Sequence, residues 1–174
     1  MVIFYLMLYI LAAFQLLHSY SMLPDVMATH FSAGGEANGF MPLSHFAGFH
    51  MGFVVFLSGL FYAAGWLVSK TPPRLLSIPN RDYWLAPARA AATMQRLRND
   101  VSMMGLLAGL FAMAIDDLVI DANIGGGKVI RADSLHTIVV TAGVVMAFYL
   151  VFLLRRFSLP RDAGTGATGE KRQD

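Results

Sequence analysis

Phe49–Val68 reads FHMGFVVFLSGLFYAAGWLV and contains no charged residue. A helix needs about 20 predominantly apolar residues to cross the hydrocarbon core of a bilayer. Lys70 closes the stretch, and Tyr62 and Trp66 near its end suit the aromatic belt at a membrane interface. The stretch therefore predicts a transmembrane helix.

Three further apolar blocks lie on either side of this one. Val2–Leu17 is uncharged, and it is typical of a retained helix rather than a signal peptide, because no basic segment precedes it and no small-x-small cleavage site follows. The block from Val101 is interrupted by Asp116 and Asp117. Its uninterrupted part would reach only about 22 Å, so we expect the span either to include Leu118–Ile120 or to extend backwards past Asp100. Thr137–Leu154 is the fourth block.

The composition agrees with a membrane protein. Of 174 residues, 56% are hydrophobic and 14% are charged, whereas soluble domains have about 25% charged residues. The absence of cysteine excludes disulfides and zinc–thiolate sites. Lys and Arg lie beside the apolar blocks, so we expect no nucleic-acid partner. The sequence predicts an all-α, integral membrane four-helix bundle: one four-span domain over residues 1–157, followed by a polar cytoplasmic tail, 158–174.

The distribution of Lys and Arg predicts the orientation. Both the segment between the second and third spans and the C-terminal tail are rich in these residues, whereas the segment between the first and second spans has none. Basic segments face the cytoplasm. We therefore expect a multi-pass protein of the cell (inner) membrane with both termini cytoplasmic and with loops 23–48 and 121–136 outside.

The basic segment between the second and third spans has structure of its own. Pro87 suits the first turn of a helix, which predicts a short amphipathic helix over Pro87–Asn99 at the inner surface. Such a basic helix would lie on anionic lipid or dock a partner. Tyr83 and Trp84, just before it, suit the interface belt.

The polar run between the first two spans, Leu23–Phe40, reads LPDVMATHFSAGGEANGF. One interpretation is structural: Asp25 caps a short helical turn through His30, and Gly34 and Gly35 end it. The other is functional: Asp25 pairs with His30 and makes a pH- or ligand-sensing contact. The two interpretations are compatible.

Several other residues are candidates for chemistry. Asp116 and Asp117 lie near the outer end of the third span, and charges at membrane depth are costly and often functional. Either interface solvation alone explains them, or one of them lies on the bundle side and pairs with Arg131, Lys128 or a protonated His50. The second outer loop, around Gly125–Gly127, is expected to form a short hairpin. Imidazole and thioether groups together suit copper, but no ligand cluster is evident, so we predict no metal or cofactor. The histidines considered for a metal are His18, His30, His45 and His50.

Two motifs resemble the membrane family known as domain of unknown function 1648, which also forms the N-terminal part of SdpI-type immunity proteins. The family's outer motif runs approximately L-P-D-x-I-P-x-H-F-N-x-x-G-x-x-D-x-W, and its inner motif runs I-P-N-x-x-Y-W-L-A-P. The chain departs from the outer motif at Ala28, Ser32, Asn38 and Phe40. The resemblance covers about Met1–Ile120. The residues it singles out are Leu23, Pro24, Asp25, His30, Phe31, Gly35 and Glu36 in the outer motif, and Pro79, Asn80, Tyr83, Trp84 and Pro87 in the inner motif.

The resemblance implies a topology rather than an activity. No nucleophile–base–orienter set is evident in the sequence. We therefore expect a non-enzymatic accessory or interaction subunit that contacts the lipid bilayer and other membrane protein subunits. The alternatives are an SdpI-like immunity or sensor protein, and a transporter component that handles protons or metals.

Overall fold

The computed structural model describes residues 1–159. Within them, four helices are long and apolar enough to cross a membrane, as the sequence predicted. The chain is a multi-pass membrane protein that is helical apart from one small hairpin. Beyond position 159, the predicted polar tail lies outside the described residues. The elements in chain order are α1 (Val2–Ser19), β1 (Val26–Phe31), β2 (Ala37–Pro42), α2 (Leu43–Val68), α3 (Arg81–Trp84), α4 (Pro87–Asn123) and α5 (Ala132–Arg156).

Helices α1, α2 and α4 form the packed core of the bundle. Tyr5 and Leu8 of α1, Val54 of α2 and Leu106 of α4 belong to one buried cluster. The approach of α2 to α4 depends on Gly105, because a Cβ there would lie 2.7 Å from the carbonyl oxygen of Ser58. Small residues allow such close helix contacts in membranes.

Helix α4 is much longer than the sequence predicted. The proposed inner-surface helix Pro87–Asn99 and the third span are one continuous helix of 37 residues, Pro87–Asn123. Pro87 does begin a helix, but the helix does not end at Asn99, because neither proline nor glycine interrupts the chain between Ala88 and Met104. At 1.5 Å per residue the helix is about 55 Å long, against a hydrocarbon core of about 30 Å. The predicted helix thus leads directly into the third span, and the predicted end at Asn99 is wrong.

Helix α5 lies apart from the packed core. None of its 25 residues is buried. It is attached near both ends: Arg156 Nη1 lies 2.8 Å from Asp100 Oδ1 of α4, and at the other end Leu135 and Ile138 pack against Leu118 and its neighbours. Its middle part stands over an apolar groove rather than against the bundle.

The segment predicted to be a helical turn is a β-hairpin. Strands β1 and β2 pair antiparallel, with Ala28 opposite Phe40 and His30 opposite Gly39. A Cβ at position 39 would lie 2.8 Å from the Cβ of His30, so the pairing requires glycine there. Asp25 therefore does not cap a helical turn. The β-branched and aromatic residues of VMATHF are typical of a strand, and they outweighed the capping pattern.

The second outer loop is not a hairpin in itself. Its Val129 forms a β-bridge with Glu36 of the first hairpin instead, and Ile130 N donates to the carbonyl oxygen of Gly35 at 2.9 Å. Gly35 has a φ of +86°, which suits glycine. The two loops thus form one layer over one end of the helix bundle. This end of the bundle is called the hairpin end, and the opposite end is called the Arg-rich end.

Candidate functional site: a buried histidine–aspartate pair

Three helices bring polar groups together at one depth in the bundle. Ala12 is seven residues before the end of α1 at Ser19, His50 is seven after the start of α2, and Asp116 is seven before the end of α4. At 1.5 Å per residue, each lies about 10 Å along its helix from the hairpin end. His50 is fully buried and Asp116 is 4% exposed.

The imidazole of His50 contacts both neighbouring helices. Its Nε2 lies 3.0 Å from the carbonyl oxygen of Ala12, and its Nδ1 lies 2.9 Å from Asp116 Oδ2. The second contact has the length of an ion pair, but within residues 1–159 neither atom makes an aligned hydrogen bond. The sequence predicted three candidate partners for the membrane-depth carboxylates, and His50 is the one that Asp116 meets.

The partners of His50 fix its protonation pattern. A carbonyl oxygen only accepts hydrogen bonds, so Nε2 carries a proton. If the contact with Asp116 held no proton, two lone pairs would face each other at 2.9 Å in a buried place. One proton therefore lies between Nδ1 and Oδ2, and the pair is neutral overall.

Asp117, the neighbouring carboxylate, has a different environment. Its side chain is exposed, and its Oδ1 accepts a hydrogen bond from Gln15 Nε2 of α1 at 2.9 Å. The same nitrogen donates to the carbonyl oxygen of Met113 at 3.1 Å. The two adjacent acids thus point to different neighbours: Asp116 into the bundle and Asp117 to the α1–α4 surface.

The outer-motif residues support the hairpin rather than forming a sensing pair. Asp25 and His30 are both exposed, and His30 Nδ1 lies 3.3 Å from Thr29 Oγ1. The extended strand separates the two predicted partners. Leu23 is buried in the cluster at the hairpin end, and partly buried Phe31 packs against it. Pro24, at the chain's entry to the hairpin, is half-buried.

Asn123 holds the hairpin to the bundle, and sequence reasoning missed it. It is 2% exposed. Its Oδ1 accepts from Ala28 N at 2.7 Å, and its Nδ2 donates to the carbonyl oxygens of Ala28 and Val119 at 2.8 Å each. Ala28 is itself fully buried. The only sequence signal was an amide residue at the end of an apolar block.

The inner motif caps the end of α5. Asn80 Nδ2 and Trp84 Nε1 both donate to the carbonyl oxygen of Phe157, at 2.8 and 2.9 Å. The last carbonyl groups of a helix lack partners within the helix, and this motif supplies two donors. Asn80 has a φ of +52°, which asparagine tolerates. Arg89 lies over the Tyr83 ring, 3.9 Å from its centroid. Pro79 lies just before this capping segment.

The four histidines considered for a metal do not come together. His18 stacks on Phe14 of α1, His30 is on β1, His45 is exposed in the first turn of α2, and His50 is buried beside Asp116. Across residues 1–159, no group of three His, Asp or Glu residues is placed to hold a metal ion.

The fold and the buried pair define a four-span membrane protein with a hairpin docked over one end of its helices. Residues 6–55 match the family model described as a domain of unknown function, DUF1648. The resemblance stated from the sequence is confirmed over these residues. They include most of α1, the hairpin and the part of α2 that carries His50. No curated protein and no solved structure matches the chain.

Proposed function

We propose that this chain is a non-enzymatic accessory subunit that binds a transmembrane helix of a larger membrane complex between α4 and α5. The exposed state of α5 carries the proposal. A helix of 25 residues with none buried contributes little to this bundle's own packing. Large apolar side chains along it, among them Val145 and Phe148, remain exposed.

The groove beside α5 suits a helix. It encloses about 410 Å³ and is lined mainly by apolar side chains of α4 and α5. Small residues, Ala108 and Ala114 on α4 and Ala142 on α5, lie among them, and such residues let a second helix approach closely. Thr141 adds a hydroxyl group that can hydrogen-bond across a helix interface. An SdpI-type immunity role would be one case of this function, with a toxin-like protein as the partner.

Photo-crosslinking in the native membrane tests the proposal. A photoreactive phenylalanine analogue at Thr141 should give one protein adduct of defined mass. The same analogue at Phe56, 67% exposed on α2, is the lipid-facing control and should give none. Ala142→Phe should fill the groove and abolish the adduct, whereas Gly143→Phe should not, because position 143 has open space around it. Lipid adducts alone at Thr141, together with purification of the chain by itself, would refute the proposal.

The proposal includes the predicted location: the cell (inner) membrane, with both termini in the cytoplasm and the hairpin outside. The chain has no cysteine, so single cysteines can be labelled without background. Ser32→Cys in the hairpin turn should react with an impermeant maleimide from outside. Ser77→Cys, exposed at the Arg-rich end, should react only after the membrane is opened. The reverse pattern would overturn this orientation.

A proton sensor or proton-handling component is the second candidate, and the His50–Asp116 pair favours it. The pair is neutral with one shared proton, so gain or loss of a proton would leave an uncompensated charge beside α1. We expect the protection factors of the hairpin amides, which are exchange rates corrected for the intrinsic rate at each pH, to change with pH. Asp116→Asn should abolish this change, while His45→Gln should preserve it. An unchanged pH response in Asp116→Asn would eliminate this candidate.

A further inference from the structure

A second groove, between α1 and α4, is lined by apolar side chains along its wall and by polar side chains at one end. It is open, encloses about 460 Å³ and runs along the outer surface of the bundle near the hairpin end. Its apolar wall includes Leu11, Phe14 and Leu110, which are 49%, 64% and 50% exposed. Its polar end is formed by Gln15 and Asp117. An apolar wall leading to a polar end is the outline of a lipid molecule.

The hydrogen bonds of Gln15 determine what the polar end offers. Its Nε2 faces two acceptors, the Met113 carbonyl oxygen and Asp117 Oδ1. Reversing the amide would set an oxygen against both, so the orientation is fixed by its partners. The Oε1 atom is consequently left buried without a hydrogen-bond partner among residues 1–159. An unpaired buried acceptor is costly. Because Gln15 as a whole is only half-buried at the edge of the groove, a small movement of its side chain would bring Oε1 to a donor in the groove, and that pairing would stabilise the contact.

The polar end therefore presents acceptors and a negative charge. Gln15 Oε1 and the carboxylate of Asp117 both accept, and the carboxylate is charged when ionised. Gln15 lies four residues before the end of α1, and Asp117 six before the end of α4, which corresponds to depths of about 6 and 9 Å along the helices. Both groups therefore lie within about two turns of the helix ends at the hairpin end. The complementary group is a cation that carries N–H donors.

We propose that this groove is a binding site for a lipid with a primary ammonium headgroup, the chemistry of phosphatidylethanolamine. The ammonium group donates to Gln15 Oε1 and to Asp117, and an acyl chain lies along Leu11, Phe14 and Leu110. His18, exposed in the same groove, is positioned to donate to the lipid phosphate. Phosphatidylcholine has the same charge and phosphate, but its quaternary ammonium has no N–H donor. The groove adjoins the α4–α5 groove, with which it shares Leu110 and Ala114, but its polar end at Gln15 and Asp117 belongs to it alone.

Lipid competition followed by native mass spectrometry tests the site. The protein is titrated in detergent with phosphatidylethanolamine or phosphatidylcholine of identical acyl chains. We expect about a tenfold preference for the ethanolamine lipid, the effect of about one charge-assisted hydrogen bond. Asp117→Asn, which preserves the acceptor for Gln15 but removes the charge, should reduce this preference to near unity. Asp133→Asn, a matched loss of an exposed carboxylate at the same end, should leave it unchanged.

Gln15→Met provides a second variant and should likewise remove the preference, because it deletes Oε1. Thermal unfolding of each variant in phosphatidylcholine alone shows whether the fold is retained. Equal binding of both lipids by the unmodified chain would mean that only the apolar wall holds an acyl chain, and this would refute the proposal. Preservation of the preference in both folded variants would also refute it.

Discussion

Replacing Asn123 with alanine should release the hairpin from the bundle while leaving the spans in place. The substitution deletes the side chain that pairs with both Ala28 N and Ala28 O, at 2.7 and 2.8 Å. Ala28 is fully buried, so both backbone groups would be left unpaired out of contact with water. Each such group costs about 1–3 kcal/mol. The free energy that holds the hairpin against the bundle should therefore fall by about 2 kcal/mol or more. This corresponds to about a 30-fold larger population of molecules with the hairpin undocked.

Hydrogen exchange followed by mass spectrometry measures this population directly. Peptides covering β1 and β2 should exchange about 30-fold faster in Asn123→Ala, whereas peptides from α2 should be unchanged. Asn99→Ala is the matched control, because Asn99 is exposed on the same helix and accepts one exposed hydrogen bond from Gln95. If the hairpin exchanged at the same rate in both variants, the docking role assigned to Asn123 would be wrong.

Three further predictions concern the packing of the bundle, each measured by unfolding in detergent. His50→Leu should lower the free energy of unfolding by about 3 kcal/mol, because it leaves the carboxylate of Asp116 buried without a partner. The double variant with Asp116→Leu should be more stable than His50→Leu alone. A double variant whose loss equals the sum of the two single losses would contradict this. Asn80→Ala should lower the free energy of unfolding by about 1–2 kcal/mol, because alanine disfavours the positive φ at this position and a hydrogen bond is lost. Asn80→Gly should recover part of this loss, because glycine accepts the positive φ. Equal losses in the two variants would contradict the backbone contribution. Gly105→Leu should unfold the bundle because it clashes with α2, whereas Gly143→Leu, with open space around it, should fold normally; tolerance of both would refute the close contact.

The spans were predictable because they depend on local composition alone. A long uncharged stretch must satisfy its backbone hydrogen bonds internally in lipid, whatever the rest of the chain does. The full extent of α4 was not predicted, because the basic residues before Val101 suggested a short surface helix that ended at Asn99. A helix can extend out of the membrane without a break when no proline or glycine interrupts it, and the stretch from Ala88 to Met104 contains neither.

The site was only partly predictable, because the residues that contact each other in it lie far apart in the sequence. Asp116 was recognised from its charge within an apolar block, but the choice among three partners required the relative rotation of α2 and α4. Asn123 lies 95 residues from Ala28, and no local pattern links them. The hairpin had a local signal in VMATHF, yet the preceding Pro24-Asp25 resembled a helix cap. The inner motif was recognised, but its role as a cap for α5 required the position of Phe157.

The unbroken length of α4 has a mechanical consequence. Thr93 near one end donates to the carbonyl oxygen of Trp84 in the capping motif, Asp116 contacts α2 deeper in the bundle, and Asn123 at the other end grips the hairpin. All three contacts are made by one continuous helix. A tilt or rotation of α4 at one face of the bilayer must therefore also move its contacts at the opposite face, so the two water-exposed surfaces of this protein are mechanically coupled.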